Sequence, residues 1–242
     1  MDLRQYIINK SKELNIDIIG FTDCEPLSNL EHYLIERKME SIETEFEEKN
    51  IKKRINPKLI LPNCKTIIVI GLSYNNTLNK RVNYKWKGLL SKSTFGLDYH
   101  IVLNKRIEKL IEEIKKITKF DYKYFVDTGP LIDRELAKKA GIGYYGKNCS
   151  IINDKYGSFI FLGYILTDLN IENNSIIIEE KCGECNLCIK YCPTKALVGP
   201  YKFNPMKCIS YLTQTKSRIP YELREKMGIK ILEDSSITIE AN

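Results

Sequence analysis

No stretch of this 242-residue chain is apolar for long enough to span a bilayer, and its start, Met1-Asp2-Leu3-Arg4-Gln5, carries no apolar signal-peptide core. Both absences argue against a membrane-spanning or exported protein and lead to the expectation of a cytoplasmic one. No internal repeat or low-complexity tract is evident either. The glycine-rich stretch Gly141-Ile142-Gly143-Tyr144-Tyr145-Gly146-Lys147-Asn148 lacks the Walker spacing and does not sit at a strand-to-helix dinucleotide turn, which disfavours nucleotide and nicotinamide sites. Its glycines instead predict a close approach of backbone to a bulky ligand. Histidine is scarce: of the two, His32 falls on a helix surface and His100 is left as a candidate site residue. A chain of this length, 43% hydrophobic, holds one larger domain and a small appended one.

Cysteine is where the chain is rich. Four of its eight cysteines fall in Cys182-Gly183-Glu184-Cys185-Asn186-Leu187-Cys188-Ile189-Lys190-Tyr191-Cys192-Pro193, the C-x-x-C-x-x-C-x-x-x-C-P ligand run of a bacterial ferredoxin. Three thiolates at three-residue intervals wrap one cubane iron–sulfur cluster, and the fourth, beside proline, points at a second. Structural zinc is the bland alternative, and it gives no reason for the proline. Cys24, Cys64, Cys149 and Cys208 are scattered, so a disulfide framework is not indicated and a reducing compartment fits better.

The net charge of +7 is concentrated: residues 76–120 hold eleven Lys/Arg against four acids, with Tyr84 and Trp86 interleaved among the early lysines. Such a stretch suits phosphates and exposed bases, and equally a solvated basic face. Along the chain, the spacing predicts a helix over 2–14, a strand over 16–21, a capping box at Ser28-Asn29-Leu30-Glu31 opening a helix to about Met39, and a central buried strand over 65–74. A helix over 99–118 and a strand over 122–127 follow, which puts Asp127 at a strand's C-terminal edge, where open α/β sheets form ligand crevices. The next helix starts near Pro130, has Asp133 and Glu135 early and Lys138 and Lys139 late to match its macrodipole, and stops at Gly141. Residues 149–153 and 158–166 read as a hairpin around Asp154-Lys155-Tyr156-Gly157. A helix over 221–227 precedes a loose tail at Ser235–Ile239.

In this order, Arg54-Ile55-Asn56-Pro57-Lys58-Leu59-Ile60-Leu61-Pro62, Asp98-Tyr99-His100, Val126-Asp127-Thr128-Gly129-Pro130, the 140–148 stretch, Tyr156-Gly157-Ser158, the cysteine run with Pro193-Thr194-Lys195-Ala196-Leu197, and Cys208-Ile209-Ser210-Tyr211-Leu212-Thr213 resemble the epoxyqueuosine reductase family. The resemblance covers most of the chain to about Gly228. It implies an α+β protein: a nitroreductase-like α/β domain over 1–179 holding cobalamin, a small ferredoxin-like domain over 180–228 with 4Fe-4S clusters, and a divergent tail over 229–242. It implies reduction of epoxyqueuosine to queuosine at the wobble position of tRNA, with electrons from an external low-potential donor and Asp127 as the acid that protonates the epoxide oxygen. Burial against the corrin would keep that acid protonated. Without the resemblance, Asp127 reads as a strand-end residue capping the next helix.

By the same resemblance, Arg54, Ser93, Tyr99, His100, Arg134, Lys147, Asn148 and Ser150 are cobalamin-pocket residues, the last group of them able to meet a tRNA phosphate instead. Cys182, Cys185, Cys188, Cys192 and Cys208 are cluster ligands, and the stretch from Lys80 to Lys92 faces tRNA. Surface ion pairing with Glu135 or the acidic patch around Glu40–Glu48 is the plain reading of the two arginines. The pattern departs from the family after Arg224-Glu225-Lys226-Met227-Gly228, where a second C-x-x-C-x-x-x-C-P motif is expected and no cysteine follows. Three explanations are open: a truncated product, a second polypeptide that completes the clusters, or rescue of one cluster by Cys149 or Cys64. Truncation is the expectation, with at most one complete cubane. The alternative functions are a non-catalytic iron–sulfur electron-transfer or partner protein that keeps the fold, and a cobalamin reductase of small molecules related to dehalogenases.

Overall fold

The structure, a computed structural model, describes residues 2–75, 88–173 and 175–231. In chain order its elements are α1 (Leu3–Glu13), β1 (Ile18–Asp23), α2 (Glu31–Met39), α3 (Ile51–Ile55), β2 (Thr66–Ser73), β3 (Leu89–Leu90), α4 (Tyr99–Lys115), β4 (Tyr122–Val126) and α5 (Asp133–Lys139). After them come β5 (Tyr144–Tyr145), β6 (Ile151–Ile152), β7 (Ile160–Thr167), α6 (Leu187–Tyr191), β8 (Leu197–Gly199), β9 (Lys202–Phe203), α7 (Ile209–Leu212), α8 (Tyr221–Met227) and β10 (Lys230–Ile231).

The organising element is β2. Its β-branched run pairs with β1 on one side and β7 on the other, and β4 closes the far edge of β7, giving the order β1-β2-β7-β4. A strand buried on both faces needs apolar side chains at every position, not alternate ones. That is what Ile67-Ile68-Val69-Ile70 supplies. Ile67 and Val69 join Tyr164 and Leu166 in one cluster, roofed by Leu34 of α2, Ile55 of α3 and Leu136 of α5. Ile68 and Ile70 join Phe21 and Ile165 in another, roofed by Ile7 of α1 and by Leu103, Ile107, Leu110, Ile111 and Ile114 of α4. The sheet is thus sandwiched between two helical layers.

Every pair in this sheet is antiparallel. The crevice rule for open parallel sheets therefore does not apply to Asp127, and whatever pocket it lines must come from the flanking segments. The expected hairpin is also absent as such. Asn153 and Gly157 form a single bridge, but the strand before the turn, β6, pairs with β5, while β7 leaves to join β2 and β4. A strand with two long partners gains more paired backbone in the sheet centre than beside a two-residue neighbour. The capping box fails for a local reason: Ser28–Leu30 forms a 3-10 turn, Leu30 caps α2 without a side-chain bond, and Glu31 pairs with Lys52 at 2.5 Å. The helix still ends at Met39. Cys24 and Cys64 are joined in a disulfide inside the first cluster, with Cα atoms 5.9 Å apart, so the scattered cysteines include one bonded pair. Cys64 is thereby removed as a replacement cluster ligand.

Two smaller apolar clusters belong to the cysteine-bearing segment and its sequel. One gathers Cys149, Cys192, Ala196, Leu197 and Cys208; the other gathers Ile209, Leu212, Leu223 and Met227. After α8 the chain pairs β10 in parallel with β3. Residues 80–87, including Tyr84 and Trp86, and the expected tail at 235–239 lie outside the described residues. Among the described residues no helix is long and apolar enough to cross a membrane.

Candidate active site and thiol centre

Val126 ends β4, and the chain then turns within three residues: Thr128 N–H donates to Val126 C=O at 2.6 Å around Asp127, which has φ 60°. A non-glycine residue in that region is costly, on the order of 1–3 kcal/mol, and persists where surrounding contacts over-determine it. The turn holds the Asp127 carboxyl outward, with its side chain 64% exposed. It does not cap α5, whose N-cap is Ile132 with no side-chain bond. The residues after it, Thr128, Gly129 and Pro130, line a cavity of about 430 Å³ together with Glu47, Lys53 and Phe125.

Facing Asp127 is His100. Asp98 caps α4 by accepting His100 N–H at 2.9 Å, and its Oδ1 also lies 2.8 Å from His100 Nδ1. These hydrogen bonds, the backbone one first, hold the Asp98 carboxyl below the usual range. His100 Nε2 stands 3.6 Å from Asp127 Oδ2. When Nδ1 carries a proton toward Asp98, Nε2 is left as the acceptor nitrogen facing the Asp127 carboxyl. The ring is braced by Tyr99, centroids 3.9 Å apart, which in turn stacks on Phe161 at 3.9 Å and 4°. Tyr99 supports His100 more than it lines an open pocket.

Of the two arginines expected in the pocket, Arg54 is bound to an acid. Glu47 receives both Nη atoms of Arg37 at 2.9 and 2.7 Å, Nη1 of Arg54 at 2.7 Å, and Thr44 N–H at 3.1 Å. Burial alone would push the Glu47 carboxyl up; the bonds from Arg37 and Thr44 and the charges of Arg37 and Arg54 reverse this and bring it to about 2. Arg54 thus pairs with the acidic patch, as its plain reading had it, but half-buried and not on the surface. Arg134 lies close enough to the Cys149 thiol and the Tyr145 hydroxyl to act on both electrostatically.

Ser93 is buried and bonds Ser91 Oγ at 2.8 Å. Lys147 is tied to the cysteine loop. Its backbone N–H points at Cys182 Sγ, 3.5 Å away, and its ammonium bonds Gly183 C=O and, at 3.4 Å, Asn186 Oδ1. It clasps the cysteine loop to the 146–150 segment. Asn148 closes its own turn by accepting Ser150 N–H at 3.1 Å, and Ser150 is buried. The glycines of this stretch serve packing: a Cβ on Gly143 would come within 2.5 Å of Ile152 C=O.

Six cysteines stand outside any disulfide. Cys182, Cys185 and Cys188 are at least partly accessible; Cys149, Cys192 and Cys208 are buried in one cluster, against which Cys188 packs. Cys192 ends α6 and Cys208 precedes α7. Among the described residues no three Cys, His, Asp or Glu side chains yet converge on one metal position. Soft thiols set in the ferredoxin spacing are nevertheless the donor chemistry that iron–sulfur clusters require. Two residues escaped the sequence reading. Glu47 was folded into a solvated acidic patch, and Asp133 was taken as a macrodipole acid although its Oδ1 is buried without a hydrogen-bond partner. Only burial distinguishes either from its neighbours, and no local spacing signals it.

An α/β sheet unit joined to a ferredoxin-type thiol set defines an α+β iron–sulfur protein. Residues 54–128 match the family described as "Epoxyqueuosine reductase QueG, DUF1730", and residues 181–233 match "4Fe-4S double cluster binding domain". The epoxyqueuosine reductase of Bacillus cereus is 41% identical over 95% of this chain and 61% of its own length; that of Bacillus subtilis is 38% identical over 95% and 60%. A crystal structure of epoxyqueuosine reductase with a tRNA-Tyr epoxyqueuosine-modified stem loop superposes with a TM-score of 0.90 at 37% identity, covering 94% of this chain and 61% of that one. A reductive dehalogenase at 13% identity and TM-score 0.50 shares the fold. The chain belongs to the epoxyqueuosine reductase family and spans about 61% of the length of the curated relatives it matches.

Proposed function

We propose that the protein reduces epoxyqueuosine to queuosine in the wobble position of tRNA, in the cytoplasm, with electrons drawn from an external low-potential donor. The observation that carries this reading is the geometry at Asp127: an exposed carboxyl on a strained turn, 3.6 Å from an imidazole that a second carboxylate orients. In this role Asp127 gives its proton to the epoxide oxygen. His100 Nε2 faces the Asp127 carboxyl and positions it, Asp98 fixes the imidazole ring, and Tyr99 on Phe161 keeps its plane. Membership of the family supports the substrate, and the relative crystallised with a tRNA stem loop supports the partner. The basic stretch ending at Lys92 is the proposed tRNA-facing segment.

The proposed division is 1–179 for the sheet domain, 180–228 for the cluster domain and 229–242 for the tail. Cys182, Cys185 and Cys188 would hold one 4Fe-4S cluster, and Cys192 with Cys208 would join a second. Cobalamin, when bound, would supply the cobalt-centred two-electron chemistry that the amino acids lack. The cavity beside the Asp127 turn, with Phe125 and Leu59 against Lys53 and Thr128, suits part of a large ligand with an apolar ring and polar amide margins. Arg54, Ser93, Tyr99, His100, Arg134, Lys147, Asn148 and Ser150 are its proposed surroundings. Lys147 contributes by fixing the cysteine loop.

The test is anaerobic reconstitution of the full chain with iron, sulfide and hydroxocobalamin, followed by incubation with epoxyqueuosine-bearing tRNA and a low-potential reductant. Queuosine is then measured by nucleoside mass spectrometry. Product should form, and Asp127→Asn should slow it by roughly 100-fold or more while leaving iron content unchanged. A chain that takes up iron but neither binds cobalamin nor forms queuosine would be an electron-transfer protein instead.

A further inference from the structure

Residues 181–220 hold seven Lys/Arg against a single acid, Glu184, although the whole chain carries 38 Lys/Arg against 31 acids. All seven are exposed. Elsewhere lysines are answered by carboxylates: Lys52 by Glu31, Lys58 by Glu25, Lys116 by Glu113 and Lys139 by Asp23. Here, among the described residues, only Lys181 has such a partner, Asp154 at 2.7 Å. Unanswered ammoniums on one small segment repel one another, and an anionic surface laid over them relieves this.

The charges gather beside the thiols. Lys190 lies on α6, between Cys188 and Cys192, and Lys195 Nζ bonds Lys190 C=O at 2.9 Å. Lys202 follows Tyr201, whose N–H bonds Lys147 C=O at 3.3 Å, and Lys147 clasps Gly183 and Asn186 of the cysteine loop. Next to these charges Cys185 is exposed, with Leu187 43% and Tyr191 59% exposed on its C-terminal side. A ligand thiol that reaches the surface marks where an electron can enter an iron–sulfur centre. A small apolar patch rimmed with lysine is the form of the weak, electrostatically steered contacts that redox partners make. Six of the seven cations are lysines, point charges on flexible stems, whereas bidentate clamping of phosphate favours arginine. That composition favours a carboxylate-bearing protein surface over a nucleic-acid backbone.

We propose that this face, with Lys190, Lys195 and Lys202 about Cys185, docks an acidic one-electron carrier protein, and that this carrier is the low-potential donor. The proposal rests on the electron-accepting role given to the cysteine segment above. Each encounter moves one electron: the reduced carrier is oxidised, the 4Fe-4S centre is reduced, and no covalent bond or proton changes hands. Two encounters supply the electron pair that the reduction consumes.

The test takes the full chain, reconstituted anaerobically with iron and sulfide, and a flavodoxin as the acidic carrier. Binding, followed through the NMR shifts of ¹⁵N-labelled oxidised flavodoxin, should weaken tenfold or more as ionic strength rises from about 10 mM to about 150 mM, where the screening length falls from roughly 30 Å to about 8 Å. The double variant Lys190→Glu/Lys202→Glu should weaken binding tenfold or more at low salt. It should slow stopped-flow reduction of the centre by flavodoxin hydroquinone by a similar factor, with iron content and reduction by dithionite unchanged. Absent or salt-indifferent binding by the native chain overturns the proposal without any variant. So does an iron-replete double variant that binds flavodoxin as the native chain does. A variant that loses affinity for a tRNA stem loop but keeps it for flavodoxin also overturns it, and makes the face a nucleic-acid surface. Docking and fast reduction with no queuosine formed would uphold the docking face and remove the function proposed above; queuosine formed with dithionite but without flavodoxin docking does the reverse.

Discussion

Residues 2–75 and 88–173 enclose their sheet between two clusters built mainly from isoleucine, leucine and valine, whereas in the segment after it cysteine occupies the central places of the principal cluster. The first region closes by burying apolar area on both faces of its sheet. The second gathers Cys192 and Cys208 around Ala196 and Leu197, too little surface to stabilise a unit of that size alone, as small metal-dependent domains generally show. The difference teaches where each kind of damage should be felt.

The largest effect should follow Ile68→Ala, at a fully buried position of β2. Urea unfolding should lose roughly 2–5 kcal/mol, while iron per folded chain stays constant after reconstitution; a parallel loss of iron would break the contrast. Next is Glu47→Gln, expected to cost about 3 kcal/mol at neutral pH from a shift of that size. The folded carboxyl titrates near 2 against an unfolded value of 4.5, so its contribution is complete above about pH 5 and lost as pH falls toward 2. Thermal melts of the native and variant chains should therefore converge at the acid end. Smallest is Tyr211→Phe, which removes one of several ties between the regions, the Tyr211 hydroxyl donating to Glu45 at 2.6 Å beside the Phe46 ring while Thr215 Oγ1 holds the same carboxylate at 2.7 Å. Melting should stay unchanged, with faster amide exchange confined to residues 40–48; a large drop in melting would mean that the regions support each other more than their separate cores suggest.

The same contrast explains what the sequence made legible. β2, α4 and the cysteine run carry their signal locally, in a β-branched run, a helical stripe and a fixed thiol spacing, and each appears where it was expected. The hairpin failed because the partner of β7 lies far back in the chain, at β2, where neighbour-to-neighbour reasoning does not look. Asp127 was visible at a strand end, though for a crevice rule that an antiparallel sheet does not obey. Lys147 was placed near a ligand, and its clasp on the cysteine loop needed three dimensions to see. Asp133 was hidden because a buried acid and a helix-opening acid are spelled alike.

The long reach of β2 toward β7 also sets a timetable. Residues 66–73 wait for 160–167 before the sheet can close, and pairing across such a separation is slow to nucleate. During synthesis the thiols of 182–208 leave the ribosome only after β7 has been made. Cluster assembly should then begin on a chain whose sheet has just become able to form, and a delay at β7 would expose both unfinished strands and reactive thiols at once.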